Sequence, residues 1–395
     1  MAVKFSERIV NTPRSFIREI LKVTENPEVI SFAGGLPNPE SFPVEEIAKC
    51  SEKVLMQQGA KALQYATTEG ERSLREYIAD RYRTKHGLNV SADNIIITTG
   101  SQQGLDLLGK TLIDKGDPII IERPGYLGAI QAMSMFQADF LPINLNNDGV
   151  DIVALDNILA TNSPKFFYAV TNFNNPKGIT YSLENKKQIA QRLQDRDMLF
   201  IEDNPYGELR FLGEDVPLMK SLLYDNTVLL GSFSKIVAPA MRLGWVCASE
   251  GIIEKLTVAA QASCLHTNSF VQKVAAQYLQ DYDLDKHIAK IRELYGRKRN
   301  LMVSELEKNL PLEVEFTRPD GGMFLWVTLP EGVSALEVFN VASKQNVVFV
   351  PGDPFYVGET GVNTMRLNYT NSSDSQIING IKLLSSAIKQ VLDRK

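Results

Sequence analysis

The residues able to do chemistry fall in four short stretches, each placed after an apolar run. In Leu230–Trp245 (LGSFSKIVAPAMRLGW), Lys235 follows such a run and two serines, and Arg242 comes seven residues later. A lysine at the end of a buried strand beside a second cation loses proton affinity and becomes an amine nucleophile, whereas an isolated loop lysine is simply solvated. Arg242 offers a planar fork, and Ser232 and Ser234 offer hydroxyls, the donors of a phosphate clamp. In Ile201–Leu209 (IEDNPYGEL) the run ends in Glu202–Asp203, at the strand end where open α/β sheets place ligand groups. Asp203 there suits a metal ligand, an ion-pair partner or, most simply, a cap or turn residue.

Ile95–Gly104 (IIITTGSQQG) reads as strand, turn and helix start, whose free N–H groups make an anion site. Ser101 and Gln102 would add donors to it, although Ser101 as an ordinary cap fits this piece equally well. Thr171–Gly178 (TNFNNPKG) carries an Asn-Pro turn, a common feature by itself. Gly104–Thr111 (GLDLLGKT) spells a nucleotide-binding P-loop, but that device needs a flexible loop around phosphates. Its LDLL core is instead a run of helix formers. The order carboxylate, lysine, arginine is the informative one: a pyridoxal phosphate site needs a carboxylate on the pyridinium nitrogen, a Schiff-base lysine and a phosphate cup.

The elements that must position these groups are legible as alternation. Short apolar runs at Asn94–Thr98, Pro118–Glu122, Phe166–Val170, Met198–Glu202, Thr227–Leu230 and Leu243–Ala248 are separated by amphipathic stretches. One such stretch, with Leu105, Leu108 and Leu112, is expected to end at Gly116. Near-continuous apolar strands imply a sheet covered by helices on both faces. From residue 286 the pattern becomes α+β. It predicts a charged helix from about Asp285 to Asn309, strands near Leu312–Phe316 and Gly322–Val327, a helix near Ala335–Gln345, and a strand Val347–Val350. A last helix follows, capped within Ser372–Asp374, with Ile377, Ile378, Ile381 and Leu384 as its stripe. Ala33–Pro43 reads as a loop or hinge.

Composition narrows the class. With 395 residues, two or three domains are expected; 44% hydrophobic and 23% charged residues describe a folded globular chain. Forty-two basic against 47 acidic side chains leave a net charge of −5, without the global positive field of nucleic-acid binders. Three scattered cysteines and three histidines form no disulfide framework, no CxxC pair and no HExxH, so no metal site is expected. No run approaches the roughly 20 apolar residues needed to span a bilayer, and the N-terminal residues lack the apolar core of a secretory signal. A cytoplasmic protein is expected.

Together, TTGSQQGL, Pro124–Tyr126 (PGY), NNPKG, EDNPYGEL, SFSK with Arg242, Pro319–Trp326 (PDGGMFLW) and Met365–Thr370 (MRLNYT) resemble the class I aminotransferases, pyridoxal phosphate enzymes of fold type I. Ile30–Pro43 (ISFAGGLPNPESFP) and the preceding SFIREIL are most similar to the 2-aminoadipate/kynurenine aminotransferase group. The resemblance implies an α/β fold: a large domain with a mostly parallel seven-stranded sheet covered by helices, plus a smaller α+β domain. Residues 1–45 would form an arm and hinge belonging to the small domain, 46–285 the cofactor domain, and 286–395 the small C-terminal domain.

The resemblance also implies roles. Lys235 would carry the cofactor and shuttle the proton; Asp203 would keep the pyridine nitrogen protonated. Asn175 and Tyr206 would bond the ring oxygen, Tyr126 would stack on the ring, and Ser101, Gln102, Ser232, Ser234 and Arg242 would cup the phosphate. Arg366, helped by Asn175, would clamp the substrate α-carboxylate, while Gly35 and Arg18 would face the substrate side chain. For Arg18, an exposed helical arginine is the equal alternative. Tyr65, in LQYATTEG, matches a tyrosine that reaches the neighbouring subunit's phosphate, so a homodimer is expected. One departure stands out: Lys177 replaces the usual threonine of NPTG. The expected activity moves the amino group of a 2-aminoadipate, aromatic or branched-chain amino acid to an oxo acid such as 2-oxoglutarate by a ping-pong cycle. A β-lyase on the same fold is the alternative. A regulator-type domain carries less weight, because the chain begins directly with the enzyme's own arm.

Overall fold

The structure is a computed structural model that describes residues 3–12, 26 and 28–394. Its centre is a seven-stranded sheet in the order β2 (Ile95–Thr98), β8 (Gly244–Cys247), β7 (Thr227–Ser232), β6 (Leu199–Asp203), β5 (Phe166–Ala169), β3 (Pro118–Arg123) and β4 (Asp139–Asn144). The strands from β7 to β4 pair in parallel, and only β8 runs against its neighbours. Residues of β2, β5, β7 and β8 are buried throughout, as expected for strands covered on both faces. β4 is the strand that hydrophobic runs do not reveal. It lies at the sheet edge with five of its six residues exposed or half-buried, so its sequence DFLPIN has no continuous apolar signal and can carry a proline.

Helix Ser101–Leu112 buries Leu105, Leu107 and Leu108 against this sheet. It stops at Leu112 rather than at Gly116, which sits instead in the following turn with φ 88°. GLDLLGKT therefore begins within a helix, with Gly104 packed toward Leu230 and Val246. Its backbone N–H groups are thereby committed to the helix, and no phosphate loop exists there.

A second, four-stranded sheet has the order β12 (Val350–Pro351), β13 (Thr364–Asn368), β10 (Phe324–Thr328) and β9 (Glu315–Phe316), all antiparallel. Helices Leu284–Asn309, Ala335–Ala342 and Asp374–Leu392 accompany it. The last is closed by a capping box between Ser373 and Gln376. The run Val347–Val350 is two strands, because β11 (Val347–Val348) pairs in parallel with β1 (Ile30–Ser31), while β12 turns to β13. Of Leu312–Phe316 only Glu315–Phe316 is strand, and Leu312 is fully exposed. Through β1, the segment leading into Ala33–Pro43 is tied to the C-terminal part of the chain.

Candidate active site

The parallel strands and β2 point their C-terminal ends to one edge of the central sheet, and the antiparallel β8 starts there. β7 and β8 are joined by residues 233–243, closed at the base by the Phe233 N–H donating to the Leu243 carbonyl at 3.0 Å. This hairpin folds the seven-residue spacing of Lys235 and Arg242 into one site. Arg242 takes the left-handed conformation (φ 50°) and donates to the Thr99 carbonyl at 3.3 Å, which sets its guanidinium against the start of helix Ser101–Leu112. The N-cap there is Gly100 (φ 72°), not Ser101. A Cβ on Gly100 would lie 2.5 Å from Arg242 Nη2, so only glycine allows this approach. Gln102 donates to the Gly128 carbonyl at 2.9 Å, and Ser232 Oγ accepts from the Ser234 N–H at 3.1 Å.

Gly35, Ser101, Gln102, Tyr126, Asn175, Asp203, Tyr206, Ser232, Ser234, Lys235, Arg242 and Arg366 line a single cavity of about 260 Å³. Lys235 Nζ donates to the Gly35 carbonyl at 2.8 Å. Desolvation, then the charges of Arg366 and Arg242, pull its ammonium down to about 8, so about a tenth of it is free amine at pH 7, far more than an ordinary lysine offers. Asp203, 1% exposed at the end of β6, accepts from the Tyr168 hydroxyl at 2.8 Å on one oxygen. Its other oxygen is buried with no partner, and desolvation pushes the carboxyl up to about 7. Burial also drives Tyr126 up to about 12 and Tyr206 higher still, so both remain neutral hydrogen-bonding phenols.

Arg366 enters from the other sheet. β13 holds it between Val350 and Trp326, 2% exposed. It donates to Asn175 Oδ1 and to the Ala33 carbonyl, each at 2.7 Å. Asn175 Nδ2 in turn donates to the Tyr206 hydroxyl at 3.3 Å. The guanidinium lies over Phe324, 4.3 Å from its centroid, and its Nε is buried without a partner. Desolvation lowers it to about 10, still a cation at neutral pH.

Two orphaned buried groups, an acceptor on Asp203 and a donor on Arg366, thus face a cavity that also holds a low-pKa amine and an anion cradle. That set fits a pyridoxal phosphate group, whose ring nitrogen would supply the missing donor and whose phosphate would suit the Gly100–Gln102 turn with Arg242. A family model described as "Aminotransferase class I and II" matches residues 27–384. The chain belongs to this family.

It is 41% identical to aromatic-amino-acid aminotransferase 1 of Thermococcus litoralis over 99% of this chain and 95% of that one. To 2-aminoadipate transaminase of Thermus thermophilus it is 38% identical, over 96% and 94%. The crystal structure of LysN, the α-aminoadipate aminotransferase of Thermus thermophilus, complexed with N-(5'-phosphopyridoxyl)-L-leucine, matches with a TM-score of 0.93 at 36% identity, covering 99% and 98% of the two chains. The protein is a pyridoxal phosphate-dependent aminotransferase of fold type I, and the β-lyase alternative finds no support among these relatives.

One of the expected site residues is not in the cavity. Tyr65 is 79% exposed, its ring edge-on to His266. Arg18 lies outside the described residues. Conversely, Val170, Pro205, Pro239 and Phe324 line the aminotransferase's cavity although nothing in their types singled them out; apolar walls have no chemical signature. Tyr168 had one: a hydroxyl within the apolar run FFYAV needs a buried acceptor. Among the described residues no group of acids, histidines and cysteines is arranged to hold a metal, and no helix is long and apolar enough to cross a membrane.

Proposed function

We propose that the enzyme transfers the amino group of a 2-aminoadipate-, aromatic- or branched-chain-type amino acid to a 2-oxo acid such as 2-oxoglutarate by a ping-pong cycle. The cofactor, when bound, supplies the electron sink that lets the substrate Cα lose its proton. Arg366 holds the α-carboxylate with its free donor face, and Asn175 fixes the plane of that guanidinium. Lys235 holds the cofactor and then, as a free amine, takes the proton from the substrate Cα and returns it. Asp203 would keep a proton on the ring nitrogen through its unpartnered oxygen, Tyr206 and Asn175 would hydrogen-bond the ring oxygen, and Tyr126 would pack on the ring. Ser101, Gln102, Ser232, Ser234 and Arg242 would hold the phosphate. Gly35, and Arg18 by the resemblance, would meet the substrate side chain.

The observation carrying this reading is that the unpartnered Asp203 oxygen shares one cavity with the low-pKa Lys235 and with Arg366. The enzyme is further read as a homodimer in which Tyr65 completes the partner's phosphate site, which accounts for so exposed a tyrosine. It is read as divided near residues 45 and 285 into arm, large and small domains. The three free cysteines suit a reducing cytoplasm.

An absorbance scan of the holoenzyme tests the chemistry. The yellow cofactor band should fade with productive donors and return with 2-oxoglutarate. If 2-aminoadipate or glutamate leads the panel, Arg18 gains its role; if no amino acid moves the band, the proposed donors are wrong.

A further inference from the structure

The segment from Val170 to Asn174 connects the end of β5 to Asn175, and it is held by a carboxyl that the proposed chemistry does not use. Glu122, 1% exposed near the end of β3, accepts on one oxygen from the Val170 N–H at 3.1 Å and from Asn174 Nδ2 at 2.9 Å. Its other oxygen accepts from the Tyr181 hydroxyl at 2.7 Å. Asn174 Oδ1 accepts from the Lys177 N–H at 3.0 Å, and the Asn174 carbonyl from the Gly178 N–H at 2.6 Å. The amide that touches Glu122 therefore also closes the turn containing Asn175, which bonds Arg366 and Tyr206.

Glu122 also lies four residues before Tyr126. Between them Gly125 packs so closely that a Cβ there would come within 2.5 Å of the Glu122 carbonyl. One buried side chain thus anchors the turn that aims Asn175, and its backbone packs tightly against the turn that leads to Tyr126. Glu202, on the other side of the segment, accepts from Thr171 Oγ1 at 2.6 Å but lies 3.5 Å from the buried ammonium of Lys186. Glu122 is met by neutral donors instead, so its hydrogen bonds orient neighbours rather than neutralise a charge.

We propose that Glu122 is a positioning residue of the aminotransferase, setting Asn175 and through it the Arg366 guanidinium that receives the substrate α-carboxylate. This rests on the roles proposed above for Asn175 and Arg366. The test is steady-state kinetics of holoenzyme variants, with 2-oxoglutarate and the best donor of the absorbance panel. Glu122→Ala should raise KM for both acids by about ten- to a hundredfold, as small misplacements do, with a smaller fall in kcat and the yellow band retained. Glu122→Gln should recover most of this, because its amide oxygen still accepts from Val170 and Asn174 while its NH₂ donates to Tyr181. The losses from Glu122→Ala and Asn175→Ala should be markedly less than additive when combined.

Additive losses, a Gln variant no better than Ala, or an Ala variant with lowered Tm and unchanged KM would each overturn the proposal. Should Glu122→Ala fail to fold, Asn174→Ala removes the same link and should raise the same KM values. Arg366→Lys separates the two levels. An unchanged KM there overturns the carboxylate reading itself. A raised KM there with none for Glu122→Ala overturns only the role of Glu122.

Discussion

Asp203 shows how a residue unfavourable for the empty protein can suit the chemistry proposed for the loaded one. Its folded pKa is raised to about 7 by burial, above the ordinary carboxylate value in the unfolded chain, so the native state prefers the proton. As pH rises from about 4 through 7 this residue's contribution to the apoprotein's stability therefore falls. Asp203→Asn apoprotein should melt a few degrees above the parent at pH 8, the difference shrinking as pH falls toward 4; thermal melts at both ends check this. The same substitution should lower kcat by about a hundredfold or more, the usual scale for removing a group aimed at developing charge. Lys235 has the opposite sign. With its ammonium pulled down to about 8, capture of pyridoxal phosphate by the apoenzyme should quicken as pH rises through that value, and Lys235→Ala should abolish transamination. Rates of appearance of the yellow band across pH 6–9 test the first statement.

At the scale of elements, the site is a property of strand ends. The Gly100–Gln102 turn, the β7–β8 hairpin and the end of β6 are brought to one edge by a sheet that seats β2 beside β8, far from it in sequence. Gly100 and Arg242 form one close joint in this arrangement, where a Cβ would lie 2.5 Å from the guanidinium. Gly100→Ala combines a clash with that guanidinium and a φ of 72° that L side chains avoid. It should weaken phosphate retention by about tenfold or more, by the arithmetic of one lost charge-assisted contact, while the sheet still folds. Equilibrium dialysis of the cofactor is the measurement. Hydrophobic runs reveal six of the seven strands because those strands are buried on both faces. They miss β4 because an edge strand half in water need not be apolar, and they place a helix end at Gly116 because a glycine in a turn looks the same as one at a C-cap.

At the scale of the molecule, the cavity is closed from outside the central sheet: Arg366 comes from β13 and Gly35 from the loop after β1. Arg366→Lys keeps the charge but loses the fork that reaches Asn175 and the Ala33 carbonyl together, so KM for amino and oxo acid should rise about tenfold or more while the yellow band persists. If the homodimer reading holds, light scattering should give twice the chain mass. Tyr65→Phe should then leave that mass unchanged and loosen the cofactor several-fold, as loss of one hydrogen bond to a charged group does. Read alone, the chain discloses its chemistry. The order carboxylate, lysine, arginine and the apolar runs before each are local, and local patterns survive in one dimension. What the tertiary structure decides is which groups lack partners. That the second oxygen of Asp203 and the Nε of Arg366 are orphaned, that Glu122 holds Asn174, and that Tyr65 is exposed against His266 are facts about separations across dozens to hundreds of residues. No spacing encodes them, because packing, not sequence distance, determines which polar atoms are left facing the cavity.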